Sequence, residues 1–218
     1  MPQSHESIVA DLNEYHTVLK NITSSDDLRQ YAAGAGYTDD ELKEIQELWE
    51  TARDLTNQQH LETLEAHEAT TTLKRFFSEF HDSVLELVKA GRLLYPNDGA
   101  MQNTLGLVGD REKSYDGFAD QAEAFLRAAL ERKRVLQRFA RRKYPASLFR
   151  QGLKDIQHLR DLLAERTKES GEAQQYTQQR NAVLKKLDRE IAELVGFVRL
   201  KANDDPQALE KLGRVVRS

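Results

Sequence analysis

The sequence predicts an all-α protein built from two tandem pseudo-repeats of about 110 residues. Three observations carry this. Leu, Ala, Glu, Lys, Arg and Gln dominate, while the 218 residues include only 4 Pro and 11 Gly, a helix-forming composition. Apolar residues recur at helical spacing, and no alternating β-branched run appears. Leu42-Lys43-Glu44-Ile45-Gln46-Glu47-Leu48 returns as Leu153-Lys154-Asp155-Ile156-Gln157-His158-Leu159, an offset of 111 residues. Leu73-Lys74-Arg75 against Leu184-Lys185-Lys186, and Val84 against Val195, keep that offset.

The elements follow in order. A first helix is expected from Ser4, with Glu6 in its first turn, through Ile8, Leu12, Tyr15 and Leu19. Thr23-Ser24-Ser25-Asp26 interrupts it, and Ser25 is placed to cap a second piece through Tyr31. Gly34-Ala35-Gly36 ends that piece. Thr38 and Glu41 make a capping box for the next helix, whose face reads Leu42, Ile45, Leu48, Trp49, Ala52 and Leu55. A polar stretch, Thr56 to Thr72, precedes the seam of Leu73, Phe76, Phe77, Phe80, Val84, Leu87 and Val88. Pro96-Asn97-Asp98-Gly99 is a stop, followed by a short helix before Leu105-Gly106.

The second half repeats the plan. Phe118, Ala122, Phe125, Ala129, Leu136, Phe139 and Ala140 form one face of a helix of about 30 residues. Tyr144-Pro145 ends it. Ser147 starts a counterpart of the Thr38 helix, with Ile156, Leu159, Leu162 and Leu163 on its face. Thr167 to Asn181 is polar, and Leu184, Leu187, Ile191, Leu194, Val195 and Val198 resume the seam. Asp204-Asp205-Pro206 stops it, and Leu212-Gly213 echoes Leu105-Gly106. Residues 38–95 and 147–202 each read as a hairpin turning at the polar middle, Glu169-Ser170-Gly171-Glu172 being one turn, or as one continuous helix. The hairpin, which is preferred, gives two three-helix bundles. The alternative gives long helices with pseudo-two-fold symmetry and is favoured by the ungapped alignment from Leu42 to Val84.

Two domains are expected, 1–110 and 111–218. The first carries 8 basic and 20 acidic residues, a net of −12; the second carries 24 and 16, a net of +8. Such polarity points to an anionic partner or to pairing between the halves. The absence of cysteine excludes disulfides, thiolate nucleophiles and Cys-ligated metals. With 31% charged residues, a mean hydropathy of −0.69, no secretory signal at the start and no long apolar run, the expectation is a cytoplasmic protein without a membrane span.

At 100° per residue Arg127, Arg134, Arg138 and Arg141 share a narrow arc opposite the Phe118/Phe125 face, and Arg142, Lys143 and Arg150 extend it. This stripe is the candidate surface for a protein partner or a polyanion; a plain solvated helix face is the ordinary reading. Arg132 and Lys133 flank the seam, with stems placed to cover the core edge while the heads reach acids of another helix. Asp40, Glu44, Glu47 and Asp54, with Glu50 at the edge, form an acidic stripe facing water. No Glu-x-x-His occurs, as a dimetal bundle would require, and Asp155-Ile156-Gln157-His158 is the nearest approach. His60 and His67 share a helical face near Glu68, yet their counterparts at offset 111 are Gly171 and Gln178, and His81 corresponds to Ala192. Trp49, Phe76 and Phe77 read as core. Gly34-Ala35-Gly36 lacks the remainder of a dinucleotide fingerprint, and no phosphate-cradling loop or calcium loop is present.

The ending Asn203-Asp204-Asp205-Pro206-Gln207-Ala208-Leu209-Glu210-Lys211-Leu212-Gly213 resembles the tail of uncharacterised bacterial helical proteins, which close a long helix with Pro-x-x-Leu-x-x-Leu-Gly. The resemblance implies a bacterial helical protein and no particular activity. In size the repeat is similar to spectrin-type repeats, an analogy of architecture that does not reach function. The expected function is a non-enzymatic helical scaffold or adaptor that binds proteins through helix faces and self-associates, with no cofactor, metal or catalytic residue. The alternatives are binding of nucleic acid or another polyanion through the basic stripe, and a metal-binding helical bundle.

Overall fold

The computed structural model describes residues 4–202 and 205–212, and every regular element among them is helical. The order is α1 His5–Ser24, α2 Asp26–Gly34, α3 Asp39–Leu94, α4 Gly99–Thr104, α5 Tyr115–Leu130, α6 Lys133–Ala140, α7 Ala146–Ala202 and α8 Pro206–Lys211. No described helix is long and apolar enough to cross a membrane. Asn203, Asp204 and Gly213, part of the ending singled out above, lie outside the described residues.

Helix starts follow local chemistry closely. Ser4 caps α1 by accepting from the Ser7 N–H at 3.2 Å. Thr38 and Glu41 form the expected reciprocal box: the Thr38 N–H donates to the Glu41 carboxylate at 2.7 Å, and the Glu41 N–H to the Thr38 hydroxyl at 3.2 Å. Asp98 caps α4 and Asp205 caps α8. Ser25 stands at the start of α2 in extended backbone, but its side chain makes no capping bond. The chain leaves α2 through Gly36, at φ +97°, while the Tyr37 N–H donates back to the Ala32 carbonyl at 3.0 Å. The same motif closes α6 with Lys143 at φ +67°, a left-handed conformation that costs a side-chain-bearing residue about 1 kcal/mol.

Two sequence expectations are corrected. The helix of about 30 residues from Phe118 is two helices. Arg132 turns extended (φ −114°, ψ 93°) between α5 and α6, and its guanidinium donates to the Ala128 carbonyl near the end of α5 at 2.7 Å. The break re-aims α6, so Val135 and Phe139 are buried while Leu136, on the seam by periodicity, is only half-buried. The preferred hairpins are also absent, because α3 runs unbroken for 56 residues and α7 for 57. The polar middles contain good helix formers and no proline, and a single Gly171 costs a helix only about 1 kcal/mol. Side chains one turn apart support the middle of α3, as where the Gln58 amide donates to Glu62 and that of Gln59 to Thr63, both at 2.7 Å.

The fold divides into two compact units, Met1–Leu64 with Gly171–Ser218 and Glu65–Ser170. Each therefore draws on both halves of the sequence. In the first, Val18, Leu19, Ile22, Leu28, Leu187, Ile191, Leu194 and Val198 are buried around Trp49. In the second, Phe118, Phe125, Phe139 and Phe149 are fully buried with Leu105, Leu107 and Ile156. Phe76 and Phe77 are partly buried against that second core. Helix lengths run 20, 9, 56 and 6 residues from α1 to α4, then 16, 8, 57 and 6 from α5 to α8.

Candidate functional site

The break at Arg132 places Arg127 on α5 and Arg134 and Arg138 on α6, so the stripe is not carried by one helix. Arg127, on α5, pairs with Glu123 at 2.6 Å, and Glu123 in turn pairs with Arg160 of α7 at 2.8 Å. Arg160 also reaches Asp120 at 2.9 Å. Arg138, on α6, donates to the Leu94 carbonyl at the end of α3 at 2.6 Å and lies over the Tyr95 ring at 4.3 Å. A cation on the last carbonyls of a helix complements both the orphan acceptors and the helix dipole. Arg134, Arg141 and Arg142 are exposed and make no ion pair among the described residues. Arg132, assigned to acids of another helix, pairs instead with its neighbour Glu131 at 3.5 Å.

Hydrogen bonds from Arg127 and Arg160 hold the Glu123 carboxyl below its ordinary range. A carboxyl with a depressed folded pKa contributes stability that is fully present above its unfolded pKa and is lost as pH falls through the folded one. The stability difference between wild type and Glu123→Gln is therefore expected to shrink as pH falls below about 4.5. Urea midpoints measured from about pH 7 to pH 3 check this; a pH-independent difference contradicts it.

A groove of about 460 Å³ lies in the first unit, between the start of α3 and the last turns of α7. Tyr37, Ile45, Leu48 and Phe197 supply its apolar lining. Around them stand four carboxylates, Glu41, Glu44, Glu190 and Glu193, against one ammonium, Lys186. Burial, and then the charges of Glu193, Glu190 and Glu41, push the Tyr37 hydroxyl's pKa up, which registers the negative field of the groove. Phe197 remains 42% exposed and Leu200, one turn on, 68%. Glu44 belongs to the acidic stripe read from the sequence, and the other stripe members Asp40, Glu47, Glu50 and Asp54 are exposed as expected.

This groove is not duplicated. At the 111-residue offset Glu190 and Glu193 correspond to Glu79 and Asp82, but Phe197 corresponds to Glu86 and Glu41 to Gly152. Glu86 accepts from the Tyr144 hydroxyl at 3.0 Å. Gly152 lies against Leu126, whose methyl would stand 2.7 Å from an added Cβ. The second half therefore uses the positions equivalent to Phe197 and Glu41 in its own contacts.

Five of the six histidines make ring contacts. His60 stacks on His5 with centroids 4.3 Å apart, and His16 stacks on Trp49 at 4.4 Å. His81 lies 4.6 Å from Phe118, and His158 meets Phe76 edge-on at 4.6 Å. His67 is exposed. No protein-family model, no curated protein and no solved structure matches this chain.

Proposed function

We propose that this chain is a non-enzymatic helical scaffold of two tandem repeats that binds protein through the α3–α7 groove, and that one occupant is a second copy of itself. The observation that carries the reading is the groove's lining: an exposed phenylalanine and other apolar side chains inside a net negative rim. Such a surface fits an apolar side chain flanked by cations. The chain carries that complement at the α6–α7 corner, where Leu148 is 43% exposed and Arg134, Arg141, Arg142 and Arg150 are exposed around it in sequence. The groove and the corner are different patches, so the contact is head-to-tail and produces a ring or a filament. The matching order of helix lengths supports the two-repeat reading, and the acidic and basic halves support the opposed charges.

Mass measured in solution across ionic strength tests this. Assemblies are expected at low salt, dissociating as salt screens the rim. Phe197→Asp, or Glu190→Lys with Glu193→Lys, is expected to weaken association by at least about tenfold. Monomer at every salt and concentration sinks the reading. The second reading, a polyanion surface, rests on Arg134, Arg141 and Arg142 making no ion pair among the described residues. It requires steeply salt-dependent retardation of mixed DNA and RNA at about 50 mM salt.

A further inference from the structure

The loop between α4 and α5 is held by two guanidinium groups. Arg92, near the end of α3, donates through Nε to the Leu107 carbonyl and through Nη2 to the Gly109 carbonyl, both at 2.8 Å. Arg111 donates through Nη2 to the Gly106 carbonyl at 2.6 Å. Gly106 and Gly109 adopt φ +59° and +80°, which lets this short stretch present its carbonyls to both arginines. Backbone carbonyls satisfy donors but supply no countercharge. Neither arginine makes an ion pair among the described residues, and the charge acting on Arg111 is that of Arg92, of the same sign. Asp110 and Glu112 flank Arg111 in sequence, yet neither forms an ion pair with it among the described residues.

Arg111 is half-buried, and its Nε is fully buried with no hydrogen-bond partner. Burial and the neighbouring cation both press its pKa downward, a cost that an arginine does not escape by losing its proton. Two like charges drawn together, one of them desolvated, are relieved by an anion. Guanidinium forks match the oxygen spacing of phosphate, and Nη1 of each arginine makes no hydrogen bond among the described residues.

We propose that Arg92 and Arg111 form a phosphate-binding site at the α4–α5 loop. The site shares no residue with the acidic groove or with Arg134, Arg141 and Arg142, and it goes beyond the scaffold reading. Leu93, 81% exposed, and Val108, 58% exposed, flank the pair in sequence. A phosphate group carried on a lipid and a free phosphate share the chemistry that the arginines recognise, and these two residues separate the sources.

The test is a titration of inorganic phosphate against the full chain, followed by ³¹P line width, with ionic strength held constant by chloride. Saturable broadening is expected for wild type. At least about tenfold weaker binding is expected for Arg92→Gln and for Arg111→Gln, since each removes charge-assisted hydrogen bonds. Arg92 is exposed, so Arg92→Gln keeps the test decisive should Arg111→Gln fail to fold by circular dichroism. Absence of saturable broadening, or broadening unchanged in Arg92→Gln, overturns the proposal. A second arm uses vesicles containing phosphatidic acid. Vesicle binding lost in both Arg92→Gln and Leu93→Asp assigns the lipid source. Phosphate binding with no vesicle binding assigns the soluble one.

Discussion

Phe139→Ala is expected to destabilise the protein by about 3–5 kcal/mol, the range for emptying a buried aromatic site. Phe139 has no exposed surface, meets Phe149 at 4.9 Å in a T-shaped arrangement, and lies 6.3 Å from Tyr144. The site cannot close easily around a void. Gly91 of α3 stands against the ring, so that an added Cβ would lie 3.3 Å from Phe139 and 3.1 Å from Leu107. Gly91 and Phe149 belong to the long helices α3 and α7, and a cavity left against them is expected to stay open. The measurement is a urea unfolding curve at unchanged m-value. A loss under about 1 kcal/mol would mean that α6 collapses into the space, and would place α6 outside the core of its unit.

Trp49→Ala is expected to cost a similar about 3–5 kcal/mol, in the first unit. The indole is 6% exposed, its N–H donates to the Leu12 carbonyl at 2.7 Å, and His16 stacks on it at 4.4 Å. Arg53 lies over the ring at 5.0 Å. Trp49→Phe separates the contributions. It keeps most of the apolar contact and removes the N–H, so a loss of about 1–2 kcal/mol is expected from it alone. A Trp49→Phe loss equal to that of Trp49→Ala would show that the hydrogen bond to α1, rather than burial, dominates at this site.

Periodicity and capping chemistry account for most of the helix starts. Thr38, Asp98 and Ser4 cap where their side chains reach an N–H two or three residues on, a purely local requirement. Trp49, Phe80, Ile156 and Leu187 are buried because their spacing places them on apolar seams. The break at Arg132 was not legible. Arg, Lys and Glu are all good helix formers, and nothing in Glu131-Arg132-Lys133 marks a stop. Packing of Val135 and Phe139 overrides that local preference. The continuity of α3 and α7 was legible in the ungapped alignment but obscured by the polar middles, where amphipathic periodicity fades without the helix ending.

The candidate surfaces divide in the same way. Glu44 could be read as acidic and exposed from its helix face, but the groove joins it to Glu193 and Phe197, about 150 residues away in the chain. Arg127 and Arg138 looked free on a helical wheel, yet Arg127 pairs with Glu123 one turn back in α5, and Arg138 bonds the Leu94 carbonyl at the end of α3. Arg92 and Arg111 carry no motif at all. Their significance comes from binding the carbonyls of one loop while neither makes an ion pair among the described residues.

By itself, the sequence determined the all-α class, the caps, the apolar seams and the opposed charge of the two halves. These depend on interactions within a few turns or on composition. Tertiary structure alone decided that the long helices run on without turning back, that compact units draw from both halves, and which cations are already engaged. Those outcomes depend on contacts between residues far apart in the chain, whose energies no local pattern contains.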